Sequence, residues 1–229
     1  MALKDEVEEF ISSVFREVWS TSNGITVPDI SDVPAKNKGV KIKAAVLYAD
    51  INGSTSMVDN YDSSFAAEIY KAYLYSAGRI IRNQGGTITA YDGDRIMAVF
   101  VGDSKRTSAV KAAMKINYVV SEVINKRDYV KNKRFSLNHV IGIDVSDILV
   151  AKIGVRADND LVWVGRAANY AAKLTDGGTG YSIRITKDVY DEIHESVKFN
   201  SDKTLNMWSI ENNTFKGLKI YGSNWWWSI

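Results

Sequence analysis

The stretch KIKAAVLYADINGST, residues 41–55, constrains this chain most. Its apolar run from Ala44 to Leu47 reads as a strand buried on both faces, and it heads straight into a carboxylate, Asp50. The Gly53-Ser54-Thr55 turn that follows opens a helix, with Ser54 or Thr55 as the expected N-cap. A second carboxylate recurs in TITAYDGDRIMAVFV, residues 87–101. There the Asp92-Gly93 pair predicts a hairpin turn, and Asp94 begins the returning strand. If the two strands are antiparallel neighbours, Asp50 and Asp94 converge at one sheet edge. Converging carboxylates repel and need a positive partner. A hard divalent cation bound by oxygen suits them, with phosphates supplying further ligands and the helix opening after Asp50 offering free N–H groups. Residue chemistry alone therefore predicts a site for a metal-bound nucleoside triphosphate.

The rest of the chain supplies the setting. Leu3, Val7, Phe10, Ile11, Val14, Phe15, Val18 and Trp19 repeat at helical spacing and predict an amphipathic helix of about five turns, its stripe covered by the domain or by a second protomer. An extended connector carrying both prolines runs to Gly39. The expected organisation is a helix and connector over residues 1–39 and one compact domain over 40–229. Helices are expected over 63–83, 104–126 and 166–175, strands over 135–145, 147–155 and 160–164, and a strand, short helix and strand in YSIRIT, KDVYDEIH and TFKGLKIYG. Hairpins mixed with helices, without regular alternation, favour an α+β sandwich with a mostly antiparallel sheet and helices on one face.

Composition removes other classes. The chain has no cysteine, so disulfides, Cys-ligated zinc and thiol catalysis are excluded. A net charge of +2 argues against nucleic-acid or membrane-surface binding. The first residues, MALKDEVEEF, lack the basic and apolar regions of a signal peptide, so a cytoplasmic protein is expected. His139 in an apolar strand and His194 at a helix end read as structural, as do the NWWWSI terminus, packed on the domain or its mate, and the basic connector KRDYVKNKR. TDGGTG reads as a plain loop.

Four motifs in order carry a resemblance. LYADINGST is similar to the first metal motif of the class III nucleotide cyclases, YDGDRIMAVF to their second, VGRAANYAAKL to their Gly-x-x-x-Asn-x-Ala-x-Arg helix, and FKGL to their C-terminal Lys-Gly. The resemblance spans about residues 41–222. It implies a ferredoxin-like catalytic domain in a homodimer with active sites at the interface. It implies two cations, Mn²⁺ or Mg²⁺, on Asp50, Asp94 and the Ile51 carbonyl, and ribose positioning by Asn169 of the other protomer. The family's transition-state Arg is Lys173 here, which keeps the charge but loses the planar fork, and Arg166 nearby is the alternative. Lys216 corresponds to the residue on the terminal phosphates.

The base-reading positions depart from the purine cyclases. Ala90 and Val162 stand where adenylate cyclases carry Lys and Asp, and the guanylate Glu and Cys pattern is absent. Tyr48, two residues before Asp50 and on its face, and Arg95, directly after Asp94, resemble the bacterial pyrimidine cyclases of Pycsar anti-phage systems. Arg only donates, which suits the O4 carbonyl of uracil over the amino group of cytosine. Strict strand alternation puts Arg95 opposite Asp94, so a bulge or the turn must re-aim it. The implied activity is conversion of UTP to 3′,5′-cyclic UMP and diphosphate, as a signal in phage defence read by a separate effector. A cytidylate cyclase, a relaxed adenylate cyclase and a non-catalytic nucleotide-binding module stand as alternatives.

Overall fold

A computed structural model describes residues 2–155, 158–176, 180–211 and 217–229. The sequence begins with α1 (Leu3–Arg16) and β1 (Ser20–Asn23), then the long β2 (Lys38–Asn52). Next come α2 (Ser54–Asn60), α3 (Ser63–Asn83), the hairpin β3 (Thr87–Asp92) and β4 (Arg95–Phe100), and α4 (Lys105–Tyr118), which widens into a π turn over Val119–Ile124. After α5 (Asp128–Asn132) follow β5 (Asn138–Val155), β6 (Asp158–Val164), α6 (Arg166–Leu174), β7 (Ile183–Thr186), α7 (Lys187–Glu192), β8 (Ser209–Ile210) and β9 (Ile220–Ser223).

One sheet runs β3-β4-β2-β5-β7-β9-β8, with β1 added to β2 and β6 to β5. Only the β1–β2 and β5–β7 pairings among these are parallel, so the mostly antiparallel α+β expectation holds. Alternation along β2 splits the core. Ala45, Leu47, Ala49 and Ile51 face α3 and α4, with Phe65, Ile69, Tyr73 and Met114. Ala44, Val46 and Tyr48 face the other way, against Ala167, Ala168 and Ala171 of α6. The helices therefore occupy both faces rather than one. The small side chains of α6 bring its backbone close to the sheet: a Cβ at Gly142 would lie 2.1 Å from the Ala171 carbonyl oxygen.

Several local expectations are corrected. The two strands expected over 135–155 are one, β5, because its polar interruptions Asp144 and Ser146 have internal partners: Asp144 takes the Arg166 and Thr186 side chains, and Ser146 Oγ accepts from Ala167 N–H. The N-cap of α2 is Gly53, at φ 80°, rather than Ser54 or Thr55. The connector is not wholly extended coil, since β1 pairs with the start of β2. KRDYVKNKR holds the short helix α5, anchored by buried Val130. Helix α1 stops at Arg16, where buried Asn37 donates to the Val14 and Glu17 carbonyls. Its own domain does not cover it: Leu3, Val7, Phe10, Ile11 and Phe15 are exposed. The Trp-rich terminus does pack on the domain. Asn117 holds the Asn224 and Trp225 carbonyls, and Trp226 tilts against Tyr118 at 5.1 Å. Among the described residues no helix is long and apolar enough to cross a membrane.

Candidate active site

The site forms where β2 ends beside the β3–β4 turn. Register pairs Asp50 with Arg95 and Tyr48 with Met97. The hairpin closes one residue later than the Asp-Gly signal predicts: Asp92 pairs with Arg95, leaving Gly93 (φ 59°) and Asp94 as the loop. Asp94 is thus in the turn and Arg95 is the first residue of β4. The alternation objection falls away, because Arg95 takes its facing from Asp50, its cross-strand partner, and not from Asp94. The Arg95 guanidinium meets the Asp50 carboxylate at 3.1 Å and lies 5.9 Å from the Tyr48 ring centroid. Tyr48, Asp50 and Arg95 are therefore together on the α6 face, while the Ile51 side chain turns into the opposite core.

Electrostatics tie Asp94 to this group. Burial raises the Asp50 carboxyl above its usual range; Arg95 opposes that, and the charges of Asp94 and then Asp176 add to it. Asp94 Oδ2 is buried without a hydrogen-bond partner. An orphaned carboxylate oxygen beside a second carboxylate fits a hard cation. Among the described residues no group of three or more His, Asp or Glu side chains is placed to hold a metal ion by itself.

Two residues here escaped the sequence reading. Tyr73 of α3 is fully buried with its Oη unpartnered, and its phenol is pushed well above its usual range by burial first, then by the Asp50 and Asp94 charges. Its sequence signal is weak, because Phe65, Ile69, Tyr73 and Ala77 read as an ordinary core stripe. Asp176 follows α6 in a loop taken as plain, and its backbone carbonyl accepts from Arg184.

Helix α6 exposes Asn169 and Lys173, one turn apart on its outer side. Arg166 is committed elsewhere and is not a free substitute for the family Arg: it holds Asp144 with two hydrogen bonds, at 3.0 and 3.2 Å, and also pairs with Asp188. Ala90 is exposed in β3 and Val162 half-buried in β6. Lys216 and part of the TDGGTG loop lie outside the described residues.

Both histidines are placed as structural groups. His194 Nδ1 accepts from Ser196 N–H and caps a short turn. His139 is buried beside the Tyr73 ring at 5.9 Å, and burial lowers its imidazole from 6.5 to about 4. The unfolded chain binds that proton below pH 6.5 and the folded chain does not until about pH 4. Stability therefore falls as pH drops through this window, by about 2 kcal/mol at pH 5 relative to neutral. Urea unfolding of His139→Leu should show a smaller loss between pH 7 and 5 than the unsubstituted chain by that amount. Equal losses would contradict the assignment.

Comparisons bear on this geometry. A family model of the adenylate and guanylate cyclase catalytic domain matches residues 38–219. A uridylate cyclase from Xanthomonas perforans is 51% identical, with all of both chains covered. One from Burkholderia cepacia is 45% identical, again with all of both chains covered. Among solved structures, the adenylyl cyclase CyaB from P. aeruginosa superposes with a TM-score of 0.65 at 21% identity, over 80% of this chain and 94% of that one. The guanylyl cyclase Cya2 gives 0.63 at 19%, over 81% and 93%. At these identities the structural likeness speaks for the fold alone.

Proposed function

Since the chain belongs to the adenylate and guanylate cyclase catalytic-domain family and is a nucleotide cyclase, we propose that it is a uridylate cyclase, converting UTP to 3′,5′-cyclic UMP and diphosphate. The observation that carries this reading is the cluster at the sheet edge: Asp50 with Arg95 across the strands and Tyr48 beside them, while Ala90 and Val162 have no polar side chain to read a purine. The full-length likeness to two uridylate cyclases agrees with it.

Asp50, Asp94 and the Ile51 carbonyl would hold two divalent cations, Mn²⁺ or Mg²⁺, in a homodimer whose sites lie at the interface. Bound there, such cations make the ribose 3′-hydroxyl a better nucleophile and neutralise the triphosphate. Tyr48 packs beside the base, and the Arg95 N–H groups donate to uracil O4. Asn169 on the exposed side of α6 of the opposite protomer positions the ribose, so that O3′ is in line with the α-phosphorus. The O3′–Pα bond forms as the bond to the bridging oxygen of diphosphate breaks, and the 3′-hydroxyl proton passes to solvent. Lys173 faces the charge that develops, and Lys216 holds the terminal phosphates. The product would act in the cytoplasm as a signal of phage infection, read by a separate cyclic-nucleotide effector. Purified protein with UTP and Mn²⁺ should release one diphosphate per cyclic UMP, identified by mass. UMP as the product, or no turnover, would contradict the reading.

A further inference from the structure

Within the chain's own charges, Asp50 already has a cation. Arg95 Nη2 meets Asp50 Oδ2 at 3.1 Å, and both side chains are half-buried. The strand register places Arg95 between two acids, Asp50 across β2–β4 and Asp92 across β3–β4, with the Tyr48 ring alongside. Asp94, the residue before Arg95, keeps a buried oxygen with no partner. The guanidinium thus has an acid across from it on each neighbouring strand and forms its ion pair with Asp50. That same guanidinium is the group assigned to the base.

We propose that Arg95 exchanges between two stations, the Asp50 carboxylate and the pyrimidine carbonyl, so that a divalent cation and the uracil ring each favour binding of the other through this one side chain. The inference rests on the reading of Arg95 as the uracil-facing residue. A cation that enters between Asp50 and Asp94 takes over the charge that Arg95 supplied, because a divalent ion and a guanidinium compete for the same oxygen. The displaced guanidinium keeps its five donors and needs acceptors. Uracil O4 supplies one beside Tyr48. Conversely, a base that holds Arg95 uncovers Asp50. Linkage makes the two effects equal. A base offering an amino group at that edge leaves Arg95 without an acceptor and returns it to Asp50, so the exchange ties base choice to metal occupancy.

The test measures Mn²⁺ affinity of the nucleotide-free protein, reading free Mn²⁺ by electron paramagnetic resonance. Arg95→Gln should bind Mn²⁺ at least about fivefold more tightly than the unsubstituted chain, and Arg95→Lys, which keeps a charge, should fall between them. Saturating uridine, which has no phosphate to bind Mn²⁺ itself, should tighten Mn²⁺ binding by the unsubstituted chain by a similar factor and leave Arg95→Gln unchanged. Equal Mn²⁺ affinity in the unsubstituted chain and Arg95→Gln would overturn the exchange. If Arg95→Gln binds Mn²⁺ tightly but uridine has no effect on the unsubstituted chain, the uracil assignment fails and takes the second station with it. Should the glutamine variant not fold, the uridine titration of the unsubstituted chain decides: an unchanged affinity overturns the proposal.

Discussion

Replacing Asp50 by asparagine should lower turnover on the order of 10³-fold or more without unfolding the chain, since it removes the carboxylate proposed to hold the cations that would neutralise the triphosphate, a loss of several kcal/mol of transition-state stabilisation. Two opposite effects fall on one residue. Asp50 is half-buried, and burial raises its carboxyl above the usual range despite Arg95. A raised folded-state value means the ionised form is disfavoured by folding at neutral pH, so a neutral amide of the same shape relieves that cost. The melting temperature of Asp50→Asn should therefore stay level or rise while activity collapses, as expected of a strained functional group. The variant also tests the shared site. Asn169 lies on the exposed side of α6. When Asp50→Asn and Asn169→Ala protomers are mixed and allowed to re-associate, half the dimers are mixed and each carries one intact site. Activity should return to about a quarter of the unsubstituted value by two-fold symmetry. No recovery would place Asn169 in the same protomer's site or outside any site.

The second large effect is on stability. Arg184 of β7 and Glu211 are both buried and joined by two hydrogen bonds, at 2.7 and 2.8 Å. The same guanidinium donates to the Leu174 carbonyl at 2.6 Å and the Asp176 carbonyl at 3.2 Å, closing the end of α6. Arg184→Ala strands a buried carboxylate, the last carbonyl of α6 and the Asp176 carbonyl together. The expected loss is about 3–5 kcal/mol, a fall in melting temperature of about 10 °C for a chain of this size. Adding Glu211→Leu removes the stranded charge and should recover part of the loss, whereas independent contributions would make the double variant worse than either single one. Because α6 carries Asn169 and Lys173, the single variant should also lose activity below its melting point.

Most of the scaffold could be read from the sequence because its signals are local. The apolar run before Asp50, the stripe of α3 and the Asp-Gly turn each rest on neighbouring residues. What failed depended on long-range pairing. The hairpin loop is Gly93-Asp94 and not Asp92-Gly93, a one-residue difference that local turn chemistry does not resolve. It reversed the inferred facing of Arg95, which only the pairing with β2 fixes. Strand β5 read as two because Asp144 and Ser146 look like a break until Arg166, Thr186 and the start of α6 arrive from elsewhere. Tyr73 was hidden for a similar reason: its stripe position is apolar, and only the fold brings its hydroxyl within the field of Asp50 and Asp94. Asp176 lies in a loop after a helix, and its charge acts on Asp50 only because of the way α6 docks. The carboxylates themselves were legible, because an acid at the end of a buried strand needs a reason close at hand.

If the edge built from Tyr48, Asp50, Asp94 and Arg95 reads a pyrimidine triphosphate, the chain should select UTP from a mixture. The most direct test is competition: equimolar ATP, GTP, CTP and UTP with Mn²⁺, and the cyclic products separated by mass at low conversion. Cyclic UMP should be the dominant product. Cyclic AMP formed as readily as cyclic UMP would contradict it.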